Sequence, residues 1–125
     1  MAELAPDKAE RWFWLGLVLA AADSTDAADD ALLKSTELDS TSRNASLAYQ
    51  QLGYRSLLDK KWEKAIGLLK RSIAIYDKDP HTLVWLAQGY QNSGNRAKAI
   101  ETYRKVLDLD PGNEDAKKGL KLLSE

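Results

Sequence analysis

The chain has 125 residues, of which 44% are apolar and 30% charged, so it has the length of one domain and the composition of a folded protein rather than a disordered or fibrous one. It contains no cysteine and one histidine, which excludes disulfides, thiolate nucleophiles, cysteine-ligated zinc and a metal site built on two histidines. With 18 basic and 19 acidic residues the net charge is −1, and we therefore expect no general affinity for nucleic acid.

The first predicted element is an apolar helix that begins at Pro6, a residue type favoured in the first turn of helices. Its apolar run, residues 12–22, is too short to cross a bilayer, so we expect no membrane insertion. The run has the length of a signal-peptide core, but Glu3, Asp7 and Glu10 lie where a leader carries positive charge. The sequence therefore favours a buried helix whose whole circumference needs cover, and it slightly favours a cytoplasmic location.

Apolar residues recur every three or four positions along the rest of the chain, which is the period of an amphipathic helix. Asp79 followed by Pro80 is typical of a helix start, Asn95 and Asn113 precede two later helices, and Gly94 suits a left-handed turn. We predict about seven helices and no strands. The helices are expected at residues 6–21, 25–38, 45–58, 61–76, 80–92, 96–109 and 114–123.

A period of 34 residues relates successive helix pairs, and three extra residues at 43–45 extend the pattern to three copies. The copies begin at Ala9, Ser46 and Pro80. Two antiparallel helices approach closely only where one presents a small residue, and positions 8 and 20 are small in every copy. One helix pair cannot bury its apolar faces alone, so the copies are expected to stack. The small residues are Gly16, Gly53 and Ala87 at position 8, and Ala28, Ala65 and Ala99 at position 20.

These residues resemble the tetratricopeptide repeat family. The third copy matches best, the second matches through its first helix and the start of its second, and the second helix of the first copy is degenerate because it is acidic and poor in large apolar residues. The resemblance implies an all-α fold, a right-handed α-α superhelix of helical hairpins forming a single domain over residues 1–125. It places repeats at about 9–42, 46–79 and 80–113, and a C-terminal capping helix at 114–125.

The resemblance also implies a concave groove lined by the first helix of each repeat. An aromatic and amide-rich lining suits an extended segment or an amphipathic helix of a partner protein. For Trp14, Tyr54 and Trp85 the alternative of packing between repeats is equally open, whereas for Trp12, Tyr90 and Tyr103 packing is preferred. The expected groove residues are Phe13, Trp14, Leu17, Gln50, Gln51, Tyr54, Leu57, His81, Val84, Trp85, Gln88, Gln91 and Asn92.

Some members of the family hold the C-terminal carboxylate of heat-shock chaperones with lysine, arginine and asparagine at fixed groove positions. The corresponding positions here are Phe13, Leu17, Gln51, His81 and Trp85. Only Gln51 is chemically similar to the family's residue, so no positive pocket awaits a carboxylate. The sequence therefore excludes a carboxylate clamp of that kind.

We expect a non-catalytic protein–protein interaction module without cofactor or metal, because no nucleophile with its base and no phosphate-binding loop is recognisable. Asp26, Asp29 and Asp30 share a helix face, but a solvated first turn stabilised by the helix dipole explains them without a metal ion. The alternative function is a structural or assembly role, in which residues 12–19 of the apolar first helix mediate homo-oligomerisation.

Overall fold

The computed structural model describes residues 6–124, which form seven α-helices joined by short turns and contain no strand. The helix limits agree with the sequence prediction to within two residues. The largest difference is at the start of the third helix, which begins at Arg43 because the Ser42 hydroxyl accepts a hydrogen bond from the third following backbone N–H, at 3.2 Å. The helices are α1 Pro6–Ala21, α2 Thr25–Leu38, α3 Arg43–Leu58, α4 Trp62–Ile75, α5 Pro80–Asn92, α6 Arg96–Leu109 and α7 Glu114–Leu123.

The helices pack as successive antiparallel hairpins, α1 on α2, α3 on α4 and α5 on α6, with α7 packed against α5 and α6. The three hairpin turns share one backbone geometry. Asp23, Lys60 and Gly94 each adopt a left-handed conformation, with φ of 63°, 60° and 91°. In each turn the next residue donates its backbone N–H to a carbonyl five residues earlier, at 2.8–2.9 Å. The repeat seen in the sequence is therefore also present in the backbone.

The predicted helix starts at the C-terminal half are capped as their residue types indicate. The Asp79 carboxylate accepts from a backbone N–H of the first turn of α5, and Pro80 occupies the first helical position. The side chains of Asn95 and Asn113 accept in the same way from the first turns of α6 and α7. Caps and turns together fix where each hairpin begins and reverses.

Small residues allow the two helices of a hairpin to approach closely. A Cβ added at Gly53 would lie 2.6 Å from the Cγ atom of Leu69, and one added at Gly16 would lie 2.7 Å from Leu32. Both leucines have no exposed surface. The contact thus joins position 8 of the first helix to position 24 of the second.

The buried apolar residues form three clusters, and each cluster joins one hairpin to the helix that follows it. The first joins α1 and α2 to α3, the second joins α3 and α4 to α5, and the third joins α5 and α6 to α7. No hairpin therefore has a closed core of its own. The members are Phe13, Leu32, Ala48 and Leu52 in the first cluster; Leu57, Ala65, Ile66, Leu69 and Leu86 in the second; and Leu83, Val84, Ala87, Ala99, Tyr103, Val106 and Ala116 in the third.

The first helix is not buried all round, contrary to the sequence prediction. Among the described helices only α2 and α3 contact α1, so its remaining faces are open to solvent. Trp14 is 55% and Val18 64% exposed, and Leu15 is also exposed. The prediction that Trp12 packs between repeats is also wrong. No further helix of the described part of the chain covers this side of α1, and 37% of the Trp12 surface is exposed. No helix within residues 6–124 has both the length and the apolar character that a membrane span requires.

Two glycine substitutions distinguish the effect of the close contact between the helices of a hairpin from the effect of helix propensity on stability. We expect Gly53→Ala to lower the free energy of unfolding by about 1–3 kcal/mol, because the new methyl group collides with the fully buried Leu69. The control is Gly67→Ala on the exposed side of α4, where the added Cβ has no neighbour within 4 Å apart from the adjacent residues and backbone of its own helix. That change is expected to raise the free energy of unfolding by about 0.5–1 kcal/mol. Urea denaturation measures both, and a Gly53→Ala protein as stable as the wild type would contradict the contact.

Candidate peptide-binding groove

Four of the thirteen predicted groove residues are buried inside the junctions between hairpins, where no ligand can reach them. Phe13 is 1% exposed and packs in the first cluster, while Leu57 and Val84 belong to the second and third clusters. Gln50 is also buried, at 6% exposure. Phe13, Gln50 and Val84 occupy position 5 of their repeats and Leu57 occupies position 12. Position 5 faces the adjacent hairpin in all three copies, whereas position 12 is buried in the second copy alone. Their assignment to the ligand surface is corrected accordingly.

Gln50 links two hairpins through its side-chain amide. Its Nε2 atom donates to Oδ2 of Asp79 at 2.8 Å and to Oγ1 of Thr82 at 2.7 Å. Asp79 at the same time caps α5 through its other carboxylate oxygen. A buried amide must be hydrogen-bonded to be tolerated, and here its partners lie at the N-cap and in the first turn of α5. The residue therefore fixes the angle between α3 and α5 instead of contacting a ligand.

The other nine predicted residues keep accessible surface along α1, α3 and α5. They recur three or four positions apart on each helix and so form one face of each. Trp14, His81 and Asn92 are exposed, and the remaining six are half-buried. None of the nine is Lys, Arg, Asp or Glu. The half-buried residues are Leu17, Gln51, Tyr54, Trp85, Gln88 and Gln91.

Two stacked aromatic rings occupy the middle of this surface. The ring centroids of Tyr54 on α3 and Trp85 on α5 are 4.4 Å apart with an angle of 31° between the planes, and the His81 ring lies 6.3 Å from that of Trp85. Both aromatic rings also pack against the second cluster. They are thus held in place by the core while part of each side chain remains accessible, which combines the two roles that the sequence left open.

Trp14 has a different environment from the other two open cases. Its ring meets the buried Phe13 ring edge-on, with centroids 5.3 Å apart, and more than half of its surface is exposed. Of the two roles that the sequence left open for Trp14, accessible surface therefore dominates over packing between repeats. Leu58, which the sequence pattern did not include among the expected groove residues, lies seven residues after Gln51 and four after Tyr54 and is 63% exposed. Its repeat position is the same as that of Asn92, which is the signal that identifies it.

A tyrosine behind the groove positions one of its amides. The Tyr103 hydroxyl of α6 donates to Oε1 of Gln91 at 2.8 Å, which leaves the amide nitrogen of Gln91 free to point elsewhere. Burial, with a smaller contribution from Asp115, raises the pKa of Tyr103 to about 12. The phenol consequently remains protonated and able to donate throughout the neutral range. The packing role expected for Tyr103 is present, but no sequence signal indicates its bond to Gln91.

The acidic residues at the start of α2 are not arranged as a metal site. Asp29 is paired with Arg55 of α3, with 2.5 Å between Oδ1 and Nε. Burial raises the pKa of Asp29 above its ordinary value, and this effect exceeds the lowering by Arg55. Within the part of the chain that the structure describes, no three His, Asp or Glu side chains are placed to hold a metal ion together.

Comparison with family models gives one match, to the TPR domain of cytochrome c-type biogenesis protein H, over residues 3–117. The chain belongs to this family of tetratricopeptide-repeat domains. The resemblance seen in the sequence is thereby confirmed.

Solved structures confirm the superhelical fold. The Arabidopsis OM64 TPR domain is 16% identical with a TM-score of 0.83, and the match covers 94% of each chain. A crystal structure of MamA is 29% identical with a TM-score of 0.84, covering 94% of this chain and 67% of that one. The first TPR of Spaghetti (RPAP3), bound to the HSP90 peptide SRMEEVD, is 20% identical with a TM-score of 0.78, covering 99% and 96% of the two chains.

Adjacent glutamines distinguish the buried from the accessible positions of α3. Gln50→Ala is expected to lower the free energy of unfolding by about 1–3 kcal/mol, because it removes two buried hydrogen bonds and leaves part of Asp79 and Thr82 without a partner. Gln51→Ala, on the accessible face, is expected to change it by less than about 0.5 kcal/mol. Urea denaturation followed by circular dichroism measures both, and equal losses for the two variants would contradict the assignment.

Proposed function

We propose that this domain captures an uncharged, partly apolar segment of a partner protein in the groove formed by α1, α3 and α5. The observation that carries the proposal is the stacked pair of Tyr54 and Trp85, which is fixed by the core and still accessible. Rings that are already ordered lose little entropy on binding, so their contact area contributes more fully to affinity. We expect an affinity of about micromolar, typical of a modest interface.

The residues beside the aromatic pair supply hydrogen bonds rather than charge. Gln51, Gln88 and Gln91 each carry an amide that can both donate to and accept from a peptide backbone. An extended segment, whose own backbone groups lack partners, gains most from such amides, whereas a helix would use mainly the aromatic surface. The lining therefore fits either form of an uncharged ligand and favours the extended one.

A charged tail is not the expected ligand. Two similar structures hold acidic peptides, SRMEEVD from HSP90 and SGPTIEEVD from HSP70. At 20% and 17% identity those proteins share only the fold with this chain. Here the groove-lining residues of α1, α3 and α5 include no lysine or arginine to pair with a carboxylate, and Phe13 is buried. Neutral peptides should therefore bind better than acidic ones.

The family description names cytochrome c-type biogenesis, which suggests the first partners to test. We propose that c-type cytochromes and the proteins that mature them are the candidates. Overlapping peptides from such proteins, presented on an array, would locate the segment that the groove binds.

The central test is Trp85→Ala, measured by fluorescence anisotropy with the best peptide of that array. We expect affinity to fall at least about tenfold, since a buried aromatic contact at the centre of an interface is lost. Tyr76→Ala is the matched control, because Tyr76 is a half-exposed ring outside the groove that stacks on the Arg43 guanidinium. Equal affinities of the wild type and the Trp85→Ala protein, or an equal loss in the control, would overturn the proposal. Circular dichroism verifies that both variants remain helical.

A second candidate function is assembly through α1. Trp12 and Leu15 occupy repeat positions 4 and 7, which are buried in the other two copies. With Trp14 and Val18 they form an exposed apolar surface within residues 12–19. Surfaces of this kind mark interaction sites more often than scattered single residues do. We propose a homo-oligomer formed through these residues as the alternative to peptide capture.

Sedimentation equilibrium tests this alternative. If α1 mediates self-association, the wild type sediments as a concentration-dependent oligomer and Leu15→Glu sediments as a monomer, because the charge would be buried in the contact. Leu122→Glu on α7 is the control, as Leu122 is 62% exposed on another helix. A wild type that stays monomeric at all accessible concentrations would exclude the assembly role.

A further inference from the structure

The outer face of the domain carries a cleft that the groove does not include. It lies between α4 and α6, with α5 as its floor, and has a volume of about 580 Å³. Ile73, Leu83, Leu86 and Tyr90 give it an apolar base. Because Trp85 and Gln88 lie on the opposite side of α5, the cleft and the groove are separate surfaces of one helix.

Two residues at the cleft are smaller than their equivalents in the preceding repeat. Tyr49 occupies position 4 of the second repeat, where it is 8% exposed beneath the Arg71 guanidinium, whereas Leu83 occupies this position in the third. Leu68 packs against the first cluster, and the residue 34 positions later is Thr102. The third repeat thus has smaller side chains at the cleft than the second repeat has at the equivalent positions.

Lysines lie on both walls of the cleft, and its lining contains four lysines against three acidic residues. Lys70 on α4 and Lys98 and Lys105 on α6 line it, and within residues 8–124 none of the three forms an ion pair. Lys70 has no acidic residue three or four positions away on its own helix. On α6, Glu101 lies within four positions of both lysines and Asp108 follows Lys105 by three, so the acidic residues of that wall equal its lysines in number. Lys70 supplies the excess positive charge that is available to acidic side chains of a partner.

Two acidic residues at the same rim have nearby lysines. Asp77 lies 4.0 Å from the ammonium group of Lys78, and Asp108 is three residues after Lys105 on the same helix. They therefore reduce the positive charge at one end of the cleft, where Asp77 and Asp108 lie. The excess charge lies where Lys70 faces the cleft from α4.

The shape of the cleft favours a helix over an extended chain. Its α6 wall runs from Lys98 to Leu109, which corresponds to about 16 Å or three helical turns. Both walls are helices whose backbone groups are bonded internally, so an extended segment would find no backbone partners above the apolar floor. A helix satisfies its own backbone and needs only an apolar stripe to fill the cleft.

We propose that the cleft between α4 and α6 is a second docking site, which takes an amphipathic helix of a partner whose apolar stripe is flanked by acidic residues. The apolar stripe covers Ile73, Leu83, Leu86 and Tyr90, and the acidic residues pair with lysines on the two walls. The proposal is independent of the ligand in the groove.

The probe is a fluorescein-labelled designed helix of about 14 residues with leucines along one face and glutamates on both sides of them. We expect the wild type to bind it at least about tenfold more tightly than the same helix with lysines in place of the glutamates. Thr102→Leu restores the residue type of the preceding junction and fills the cleft, so it should weaken binding of the glutamate helix at least about tenfold. Lys70→Glu should weaken it through charge alone.

Two controls keep the outcome interpretable. The Thr102 hydroxyl donates only to the Lys98 carbonyl of its own helix, so Thr102→Leu should keep or raise the melting temperature measured by circular dichroism. Gln88→Phe adds bulk to the groove and none to the cleft, and should leave binding of the designed helix unchanged. Equal affinity for the glutamate and lysine helices, no effect of Thr102→Leu, or loss of binding in Gln88→Phe would each overturn the proposal. Failure of groove capture would appear instead in the Trp85→Ala measurement.

Discussion

The close contact between the two helices of each hairpin is the constraint on which the rest of the structure depends. Gly16 and Gly53 let Leu32 and Leu69 lie directly against the backbone of α1 and α3, and the small Ala87 occupies the same position in the third hairpin. A pair packed through so narrow a contact leaves its neighbouring apolar side chains uncovered. Those side chains are buried only by the next hairpin, which is why every core cluster spans a junction. Stacking thus follows from the geometry of one hairpin.

Stacking in turn decides which residues remain for recognition. The junctions take up position 5 of every first helix and position 12 of the second copy, where Phe13, Gln50, Leu57 and Val84 are buried. The accessible residues lie on the neighbouring face of each of these helices. Because the Gln50 amide holds α5 by its N-cap, the spacing of the aromatic rings above it is fixed before any ligand arrives. A surface ordered in this way needs little rearrangement on binding.

Local features of the sequence predict most of the fold, whereas burial within the groove depends on distant residues. Helix limits follow from periodicity and capping, both of which act within a few positions, so they were predicted to within two residues. The burial of Gln50 depends on partners 29 and 32 residues away, and no pattern within α3 reveals them. Trp12 occupies a repeat position that is buried in the other two copies. A residue at this position is buried only if another helix covers it, and the two helices that contact α1, namely α2 and α3, lie on other sides of α1. Sequence position therefore indicates the face of a helix, and the neighbouring hairpin determines whether that face is covered.

The two proposed binding surfaces arise from the same helix because its faces differ in what the adjacent repeats leave open. On the inner side of α5, Trp85 is supported by Tyr54 of the preceding repeat and stays accessible. On the outer side, Leu83 is smaller than Tyr49, its equivalent in the second repeat, and Thr102 is smaller than Leu68, its equivalent there. A cleft lies above α5 at these two residues. Neither surface requires a change in the stacking of the hairpins. A helix of only thirteen residues can consequently present an uncharged aromatic surface to one side and a lysine-rimmed apolar floor to the other, and its repeat context accounts for both.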